Sequence, residues 1–225
     1  NTHVEWLQHI EHLKAEHPSL RIPESDRLMG QHVVKALSDV TKGEAIITTG
    51  VGQHQMWAAQ HYQFKNANSW LSSGGAGTMG YEVPSAIGAQ VGNPDKLIWS
   101  ICGDGGFQMT MMELATAVEN NLPVKYAILN NNHLGMITQW QDFFYGGDFQ
   151  AETYTANPDF VKLAEAYGMK GIRVTKQDEL ETAIAEANAY DGPVIVDFVI
   201  EKVDDLYPMI PAGQSIEELI EEPNQ

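Results

Sequence analysis

The chain has 225 residues, 43% of them hydrophobic, which suits one large globular domain with a sizeable core. Its 13 basic and 30 acidic residues give a formal net charge of −17, so we expect no nucleic-acid partner, and any bound phosphate must be held by backbone amides or a metal ion. There is no apolar run of the ~18 residues that a membrane span needs, and the single cysteine, Cys102, excludes an intrachain disulfide; we therefore expect a cytoplasmic protein without a membrane partner.

The N-terminal region is predicted to lie outside the main domain. Residues 1–18 have the apolar spacing of a surface helix, and Pro18–Pro23 are typical of a linker. Ser25 is then predicted to cap a second helix. We expect residues 1–21 to be an interdomain linker helix and residues 22–225 to form the domain proper.

From residue 45 onward, short β-branched runs alternate with helical patterns. This alternation predicts an α/β fold with a doubly wound, mainly parallel, six-stranded sheet and helices on both faces. In such a fold, ligands bind at the carboxyl ends of the strands. Five strands are predicted at 45–49, 97–102, 124–130, 172–175 and 194–200. Helices are predicted at about 83–91, 108–121, 134–144, 158–167 and 177–190.

Glycine turns follow the first predicted strand. The segment Val51-Gly52-Gln53-His54 leads from that strand into a helix, and the Gln53 and His54 side chains are donors that suit phosphate oxygens. The alternative is an ordinary helix N-terminus with polar caps. We favour phosphate contact, because that alternative leaves the adjacent polar side chains unexplained.

A glycine-rich loop covers residues 72–81 and includes Gly77 and Met79. Such a loop lets the main chain approach a flat ligand closely. Met79 is long and adaptable enough to pack against such a ligand, which we favour over the alternative that it fills the core. Glu82 follows the loop, and we expect it to be solvated or to cap a helix rather than to take part in catalysis.

Oxygen ligands are predicted to meet at two neighbouring strand ends. Gly103-Asp104-Gly105-Gly106 follows one predicted strand, and Asn131 follows the next. Because both strands end at the same edge of a parallel sheet, we expect Asp104 and Asn131 to converge. Carboxylate, amide and backbone carbonyl oxygens suit Mg²⁺. The alternative is a tight turn in which Asp104 caps a helix.

Beyond Asn131, the segment His133-Leu134-Gly135-Met136 enters another predicted helix. Met136 and Trp140 are four residues apart and share a helix face beside the predicted metal corner. Such a pair often belongs to the core. Its position directly after Asn131 makes a substrate pocket at least as plausible a reading.

These motifs resemble a known family. The segment from Gly103 to Asn131 is similar to the GDG…NN motif of thiamine-diphosphate enzymes, and the string 51–60, together with Met136 and Trp140, resembles acetohydroxyacid synthases, also called acetolactate synthases. The resemblance runs from about residue 22 to the C-terminus. It implies the thiamine-diphosphate-binding fold.

The resemblance also implies roles for individual residues. Mg²⁺ would be held by Asp104, Asn131 and the backbone carbonyl of His133, and Met136 with Trp140 would line the substrate channel. Gly77 would accept a hydrogen bond from the aminopyrimidine, and Met79 would support the bent cofactor. The expected cofactor-binding residues are Val51, Gly52, Gln53, His54, Gly77, Met79, Gly103, Asp104, Gly105, Gly106, Asn131, His133, Leu134, Gly135 and Met136.

The implied activity joins pyruvate to pyruvate or 2-oxobutanoate, giving acetolactate or acetohydroxybutyrate for branched-chain amino acid synthesis. Family members carry FAD, form homodimers or homotetramers, and can have a regulatory subunit. They also have two further domains, one of which supplies the activating glutamate, so this chain alone is expected to be an incomplete enzyme. The alternatives are another thiamine-dependent 2-oxoacid decarboxylase, oxidase or lyase, and a cofactor-binding module inactive without a partner chain.

Overall fold

The computed structural model describes residues 3–16, 22, 24–153, 156–202 and 205–222. The chain divides into two compact units. Residues 1–24 and 206–225 form one, and residues 25–205 form the other. The predicted boundary between residues 21 and 22 stays a prediction.

The smaller unit contains one α-helix, α1 (Val4–Glu16), within the predicted span 1–18, of which residues 1, 2, 17 and 18 lie outside the described part. It also contains a 3-10 turn at Ile216–Glu218 and an antiparallel bridge between Met209 and Ile220. No described helix of either unit is long and apolar enough to cross a membrane.

The larger unit is built on one sheet of six strands. Every strand pair in it is parallel, and the strand order is β2-β1-β3-β4-β6-β5. This confirms the predicted fold class. The strands are β1 (Ile46–Thr49), β2 (Trp70–Ser72), β3 (Ile98–Gly103), β4 (Lys125–Asn130), β5 (Lys170–Val174) and β6 (Val194–Val199).

Helices connect the strands and cover the sheet. They are α2 (Gly30–Thr41), α3 (Gln53–His61), α4 (Glu82–Gly92), α5 (Asp104–Thr110), α6 (Leu114–Glu119), α7 (Gly135–Tyr145), α8 (Phe160–Ala166) and α9 (Leu180–Ala189). Side chains alternate between the two faces of a strand, and all six residues of β4 are buried. Both faces of the sheet are therefore covered, as predicted.

Two local predictions need correction, and the structure locates the one strand for which no range was predicted. Ser25 does not cap a helix: α2 begins at Gly30, and the Ser25 hydroxyl instead accepts a hydrogen bond from the Arg27 amide at 3.0 Å. The predicted helix 108–121 begins earlier, at Asp104, and is divided by a 3-10 turn at Met111–Glu113. The sixth strand is β2, a three-residue segment directly before the glycine loop.

Aromatic side chains fill the core between α5, β4 and α8. Phe107 packs edge-on against Tyr126, with ring centroids 6.1 Å apart, and against Phe160 at 5.7 Å. All three side chains are fully buried, and the free thiol of Cys102 is buried in the same core cluster. This packing fixes the start of α5 relative to the end of β4.

The side on which successive strands are added to the sheet changes between β1 and β3. β2 is added on one side of β1, and β3 and β4 follow on the other side. In open parallel sheets, a crevice forms where the winding reverses, outside the carboxyl ends of the strands. Here that position lies after Thr49 and Gly103, where two of the predicted glycine motifs begin.

Candidate functional site

A cavity of about 200 Å³ lies at the carboxyl ends of β1, β3 and β4. Every residue expected to contact the cofactor lines it. Four further lining residues, which the sequence reasoning did not single out, are Trp57, Leu129, Ile137 and Ile200. The predicted motifs, distant along the chain, therefore meet at one place.

The Asp104 carboxylate is held in a fixed orientation at this cavity. Its Oδ1 accepts a hydrogen bond from the Gly105 amide at 2.9 Å, and its Oδ2 accepts from the Asn132 amide at 2.8 Å. Asn132 has a left-handed backbone (φ 59°), which turns its N–H toward the carboxylate. Burial raises the pKa of Asp104, and hydrogen bonds from Asn157, Asn132 and Gly105 offset part of that rise.

Asn131 and His133 form a compact turn beside Asp104. The His133 amide donates to Asn131 Oδ1 at 3.0 Å, and His133 Nδ1 lies 2.9 Å from the Asn131 carbonyl oxygen. The His133 imidazole thus contacts its own turn. Among the described residues, no three His, Cys, Asp or Glu side chains are grouped to hold a metal. A cation here would need the amide and carbonyl oxygens predicted from the sequence.

His54 is buried at the cavity wall. It packs on two glycines: a Cβ added at Gly103 would lie 2.9 Å from His54 Nδ1, and one added at Gly52 would be equally close. Burial lowers the pKa of His54 to about 4, so the imidazole is neutral at pH 7. His54 Nε2 has no hydrogen-bond partner among the described residues. A buried polar atom left in this state indicates a site for a ligand atom or water.

Gln53 lines the cavity and also contacts a second helix of its wall. Its Nε2 donates to Gln139 Oε1 at 3.1 Å, and its side chain packs so closely on Gly135 that a Cβ there would overlap Gln53 Oε1. Gln53 therefore connects the start of α3 to α7 on the cavity wall.

Three helices, α3, α5 and α7, begin at the cavity. α3 begins after Gly52 and α7 after Leu134, and neither first turn receives a capping hydrogen bond from its N-cap side chain. The amide groups of a helix's first turn have no partner within the helix and carry partial positive charge. These N–H groups can bind an anion without a basic side chain. This is the kind of phosphate contact that the net charge of −17 predicts.

The glycine loop forms the remaining wall. Gly77 has a left-handed backbone (φ 67°), and its amide donates to the Ser73 carbonyl at 3.2 Å. No described atom lies within 4 Å of a Cβ added at Gly77. Glycine is therefore required by the backbone angle rather than by crowding. Met79 reaches the same cavity from this loop.

Met136 and Trp140 differ in their relation to the cavity. Met136 lines it, whereas Trp140 does not and is 44% exposed. Trp140 packs edge-on against Phe144, with ring centroids 6.1 Å apart. The two predicted channel residues therefore lie on one helix, but only Met136 reaches the cavity in this chain.

Glu82 is neither solvated nor a surface cap, contrary to the prediction. Its side chain is fully buried, and neither carboxylate oxygen has a hydrogen-bond partner among the described residues. Burial raises the pKa of Glu82 to about 7, although the nearby amides of Gly80 and Glu82 itself lower it in part. Glu82 lies against Gly50 and Gly106, behind the glycine turns that line the cavity.

Asn157 was missed by the sequence reasoning. Its side-chain amide donates to Asp104 Oδ2 at 2.7 Å and to Asn130 Oδ1 at 3.0 Å. The only sequence signal is an Asn-Pro-Asp segment before a helix, which reads as a turn. Nothing in that segment indicates that it returns to the end of β3.

Comparison with known proteins agrees with this geometry. Residues 50–198 match the family model described as "Thiamine pyrophosphate enzyme, C-terminal TPP binding domain". This match covers the glycine turns, the glycine loop and all of the sheet from β2 to most of β6.

Several curated proteins are similar to nearly the whole chain. It is 46% identical over 221 residues to the mitochondrial acetolactate synthase catalytic subunit of Saccharomyces cerevisiae, covering 96% of the chain and 32% of that protein. It is 43% identical over 225 residues to chloroplastic acetolactate synthase 1 of Nicotiana tabacum, covering 96% and 34%. It is 46% identical over 218 residues to the acetolactate synthase large subunit of Corynebacterium glutamicum, covering 94% and 35%.

These relatives confirm the family resemblance found in the motifs. The chain spans about a third of the length of the curated relatives it matches. Their names include mitochondrial and chloroplastic proteins, so the cytoplasmic location expected from composition stays a prediction.

Proposed function

Because the chain belongs to the family of thiamine pyrophosphate enzymes, by their C-terminal TPP-binding domain, we propose that its cavity binds thiamine diphosphate with Mg²⁺. The main support is the convergence of Asp104 and Asn131 at the adjacent ends of β3 and β4. A carboxylate, a side-chain amide and backbone carbonyls are the oxygen ligands that Mg²⁺ prefers, and the diphosphate would supply further oxygens.

The residues present fit the proposed cofactor. His54 Nε2 is buried and has no partner among the described residues, so its N–H would suit a hydrogen bond to a diphosphate oxygen. The first turns of α3 and α7 supply backbone N–H groups for the same anion. Mg²⁺ would be held by Asp104, Asn131 and the His133 carbonyl.

The glycine loop would hold the organic part of the cofactor. The Gly77 carbonyl would accept a hydrogen bond from the aminopyrimidine, and the Met79 side chain would pack beneath the rings. When bound, thiamine diphosphate supplies the electron sink that 2-oxoacid chemistry requires. The residues of this chain supply binding, orientation and exclusion of water.

The reaction we propose is the carboligation catalysed by acetolactate synthases. Pyruvate loses CO₂, and its remaining two-carbon unit joins the carbonyl carbon of a second 2-oxoacid, giving acetolactate from pyruvate or acetohydroxybutyrate from 2-oxobutanoate. Met136, at the cavity wall, would contact the second substrate, and Trp140 would border its approach. FAD, a homodimer or homotetramer, and a regulatory subunit are further proposals that rest on the family alone.

The alternative within the same cofactor class is a simple 2-oxoacid decarboxylase. An assay with pyruvate as the only substrate separates the two, because carboligation yields acetolactate and decarboxylation yields acetaldehyde. The names of the relatives favour carboligation. A chain that binds the cofactor but forms neither product would match a module that needs a partner.

The direct test is calorimetric titration of thiamine diphosphate into the chain with Mg²⁺ present. We expect saturable binding that is lost on chelation with EDTA and in Asp104→Ala. Asn120→Ala is the matched control, because Asn120 is exposed and its side chain donates to the Thr116 carbonyl of the preceding helical turn, away from the cavity. Failure of the well-folded chain to bind, or equal binding by Asp104→Ala, would contradict the proposal.

A further inference from the structure

The Asn157 side chain has one defined orientation. Its Nδ2 group donates to both Asp104 Oδ2 and Asn130 Oδ1, while its Oδ1 accepts from Gln108 Nε2 at 3.0 Å. Reversing the amide would place its oxygen against two acceptor oxygens and its nitrogen against a donor. The surroundings therefore fix Asn157 as a donor to Asp104.

This contact determines which oxygen of Asp104 remains available. Oδ2 already accepts two hydrogen bonds, from the Asn132 amide and from Asn157, which use both of its lone pairs. Oδ1 accepts one, from the Gly105 amide. A cation that binds this carboxylate therefore finds a lone pair on Oδ1, and the side chain cannot rotate without losing the Asn157 bond.

Asn157 is itself held by a network that extends across the sheet. Asn130 Nδ2 donates to Asp197 Oδ1 at 3.0 Å, and Arg173 Nε donates to Asp197 Oδ2 at 3.1 Å. A second Arg173 nitrogen donates to Asp159 Oδ1 at 2.6 Å, and Asp159 caps α8. The network joins the end of β4 to β6, β5 and α8, so the position of Asn157 depends on rigid elements.

From this geometry we infer that Asn157 is a positioning residue for the metal carboxylate: it holds Asp104 so that Oδ1 faces the cation. The inference rests on the proposed function. Groups that orient metal ligands typically contribute ~10-fold to 100-fold to metal affinity. Loss of the Asn157 donor should therefore weaken metal binding while the fold remains intact.

The test measures metal binding rather than turnover. Mn²⁺ accepts the same oxygen ligands as Mg²⁺. The sharp electron paramagnetic resonance signal of free Mn²⁺ is lost when the ion binds to protein, so its amplitude reports the free concentration. Mn²⁺ is titrated into the chain at a fixed excess of thiamine diphosphate. We expect the midpoint to rise ~10-fold or more in Asn157→Ala and Asn157→Leu, and to stay unchanged in the control Asn120→Ala.

The two Asn157 variants separate orientation from space filling. Leucine keeps the approximate volume of asparagine without its donors, so recovery of the wild-type midpoint in Asn157→Leu would overturn the inference. If neither variant folds by circular dichroism, Gln108→Ala removes the donor that orients Asn157 and should shift the midpoint in the same direction; an unchanged midpoint there would overturn the inference.

The outcomes also distinguish this inference from the proposed function. If the wild-type chain binds Mn²⁺ with thiamine diphosphate and Asn157→Ala binds with the same midpoint, the positioning role is wrong and the proposed function stands. If the well-folded wild-type chain binds neither Mn²⁺ nor thiamine diphosphate, both the positioning role and the proposed function are overturned.

Discussion

Glu82 and Gly106 are in direct contact, and a Cβ added at Gly106 would lie 2.5 Å from Glu82 Oε1. Glu82 also contacts Gly50 in the same way, so one buried carboxyl group lies beneath two of the turns that border the cavity. Its backbone carbonyl accepts hydrogen bonds from Thr48 Oγ1 at 3.1 Å and Ser100 Oγ at 3.0 Å. The start of α4 is thus fixed to β1 and β3, which holds the backbone of Glu82 in place beneath these turns.

This burial predicts a pH-dependent stability. The pKa of Glu82 rises from 4.5 to about 7 in the folded chain, with Cys102 the nearby titratable group. Between these values the folded chain retains a proton that the unfolded chain has lost, so the free energy of unfolding falls as pH rises, by ~3 kcal/mol in all. Because His54 acts in the opposite sense below pH 6.5, the test compares two chains: from pH 5 to pH 8 the free energy of unfolding of the wild type should fall by ~3 kcal/mol relative to that of Glu82→Gln. Exposed Glu119→Gln should behave as the wild type does.

His54 predicts the opposite slope at lower pH. Its pKa falls from 6.5 to about 4 on folding, so between these values the unfolded chain binds more protons. His54 should therefore lower the free energy of unfolding by ~3 kcal/mol as pH drops from 6.5 to 4, a contribution that Glu82 opposes over part of this range and that comparison with a His54 variant isolates. Unfolding of His54→Asn, compared at pH 7 and pH 4.5 with the wild type, should lack this term. His3→Asn, at an exposed position, should retain it, and equal slopes in all three chains would show that His54 is not the cause.

Substitution of Gly103 tests whether the position of His54 at the cavity wall is needed for cofactor binding. A Cβ at this position meets the His54 ring at 2.9 Å, while its backbone angles (φ −80°) suit any residue. Gly103→Ala should therefore displace His54 and weaken thiamine-diphosphate binding ~10-fold or more, as measured by calorimetry. Gly88→Ala is the matched control, because nothing described lies within 4 Å of its Cβ, and alanine should stabilise α4 by ~0.5–1 kcal/mol. Unchanged affinity in Gly103→Ala would show that the His54 position is not needed for binding.

Lys125 predicts a stability effect away from the cavity. Its buried Nζ donates to the carbonyls of Tyr190 and Gly192, both at 2.7 Å, at the opposite end of β4 from Asn130. Lys125→Met should leave both carbonyls without this donor and lower the free energy of unfolding by ~2–4 kcal/mol, with cofactor affinity unchanged. Denaturant unfolding measures this. Lys35→Met, at a partly exposed position where the side chain pairs with the exposed Asp39, should cost less than ~0.5 kcal/mol, and a similar small cost for Lys125→Met would contradict the argument.

The placement of Asp104 and Asn131 was predictable because a strand, helix and strand of ordinary length return the chain to the same sheet edge. β2 was not placed, since Trp70–Ser72 is too short to show a period. Glu82 was misjudged because a glutamate before a helix usually faces water, and its burial depends on two glycines that approach it from distant segments. Asn157 could not be found because its contact with Asp104 spans 53 positions.

The cavity lies between β1 and β3, where the winding of the sheet reverses, and this position has a consequence for folding. Its walls come from the ends of β1, β3 and β4 and from the glycine loop, so no single segment of the chain forms a partial version of it. A ligand held there binds only the assembled sheet, and its binding energy adds to the free energy of unfolding of the whole larger unit. The unliganded and liganded chains should therefore differ most in how readily the central strands separate, since the ligand must leave before β1 and β3 can part.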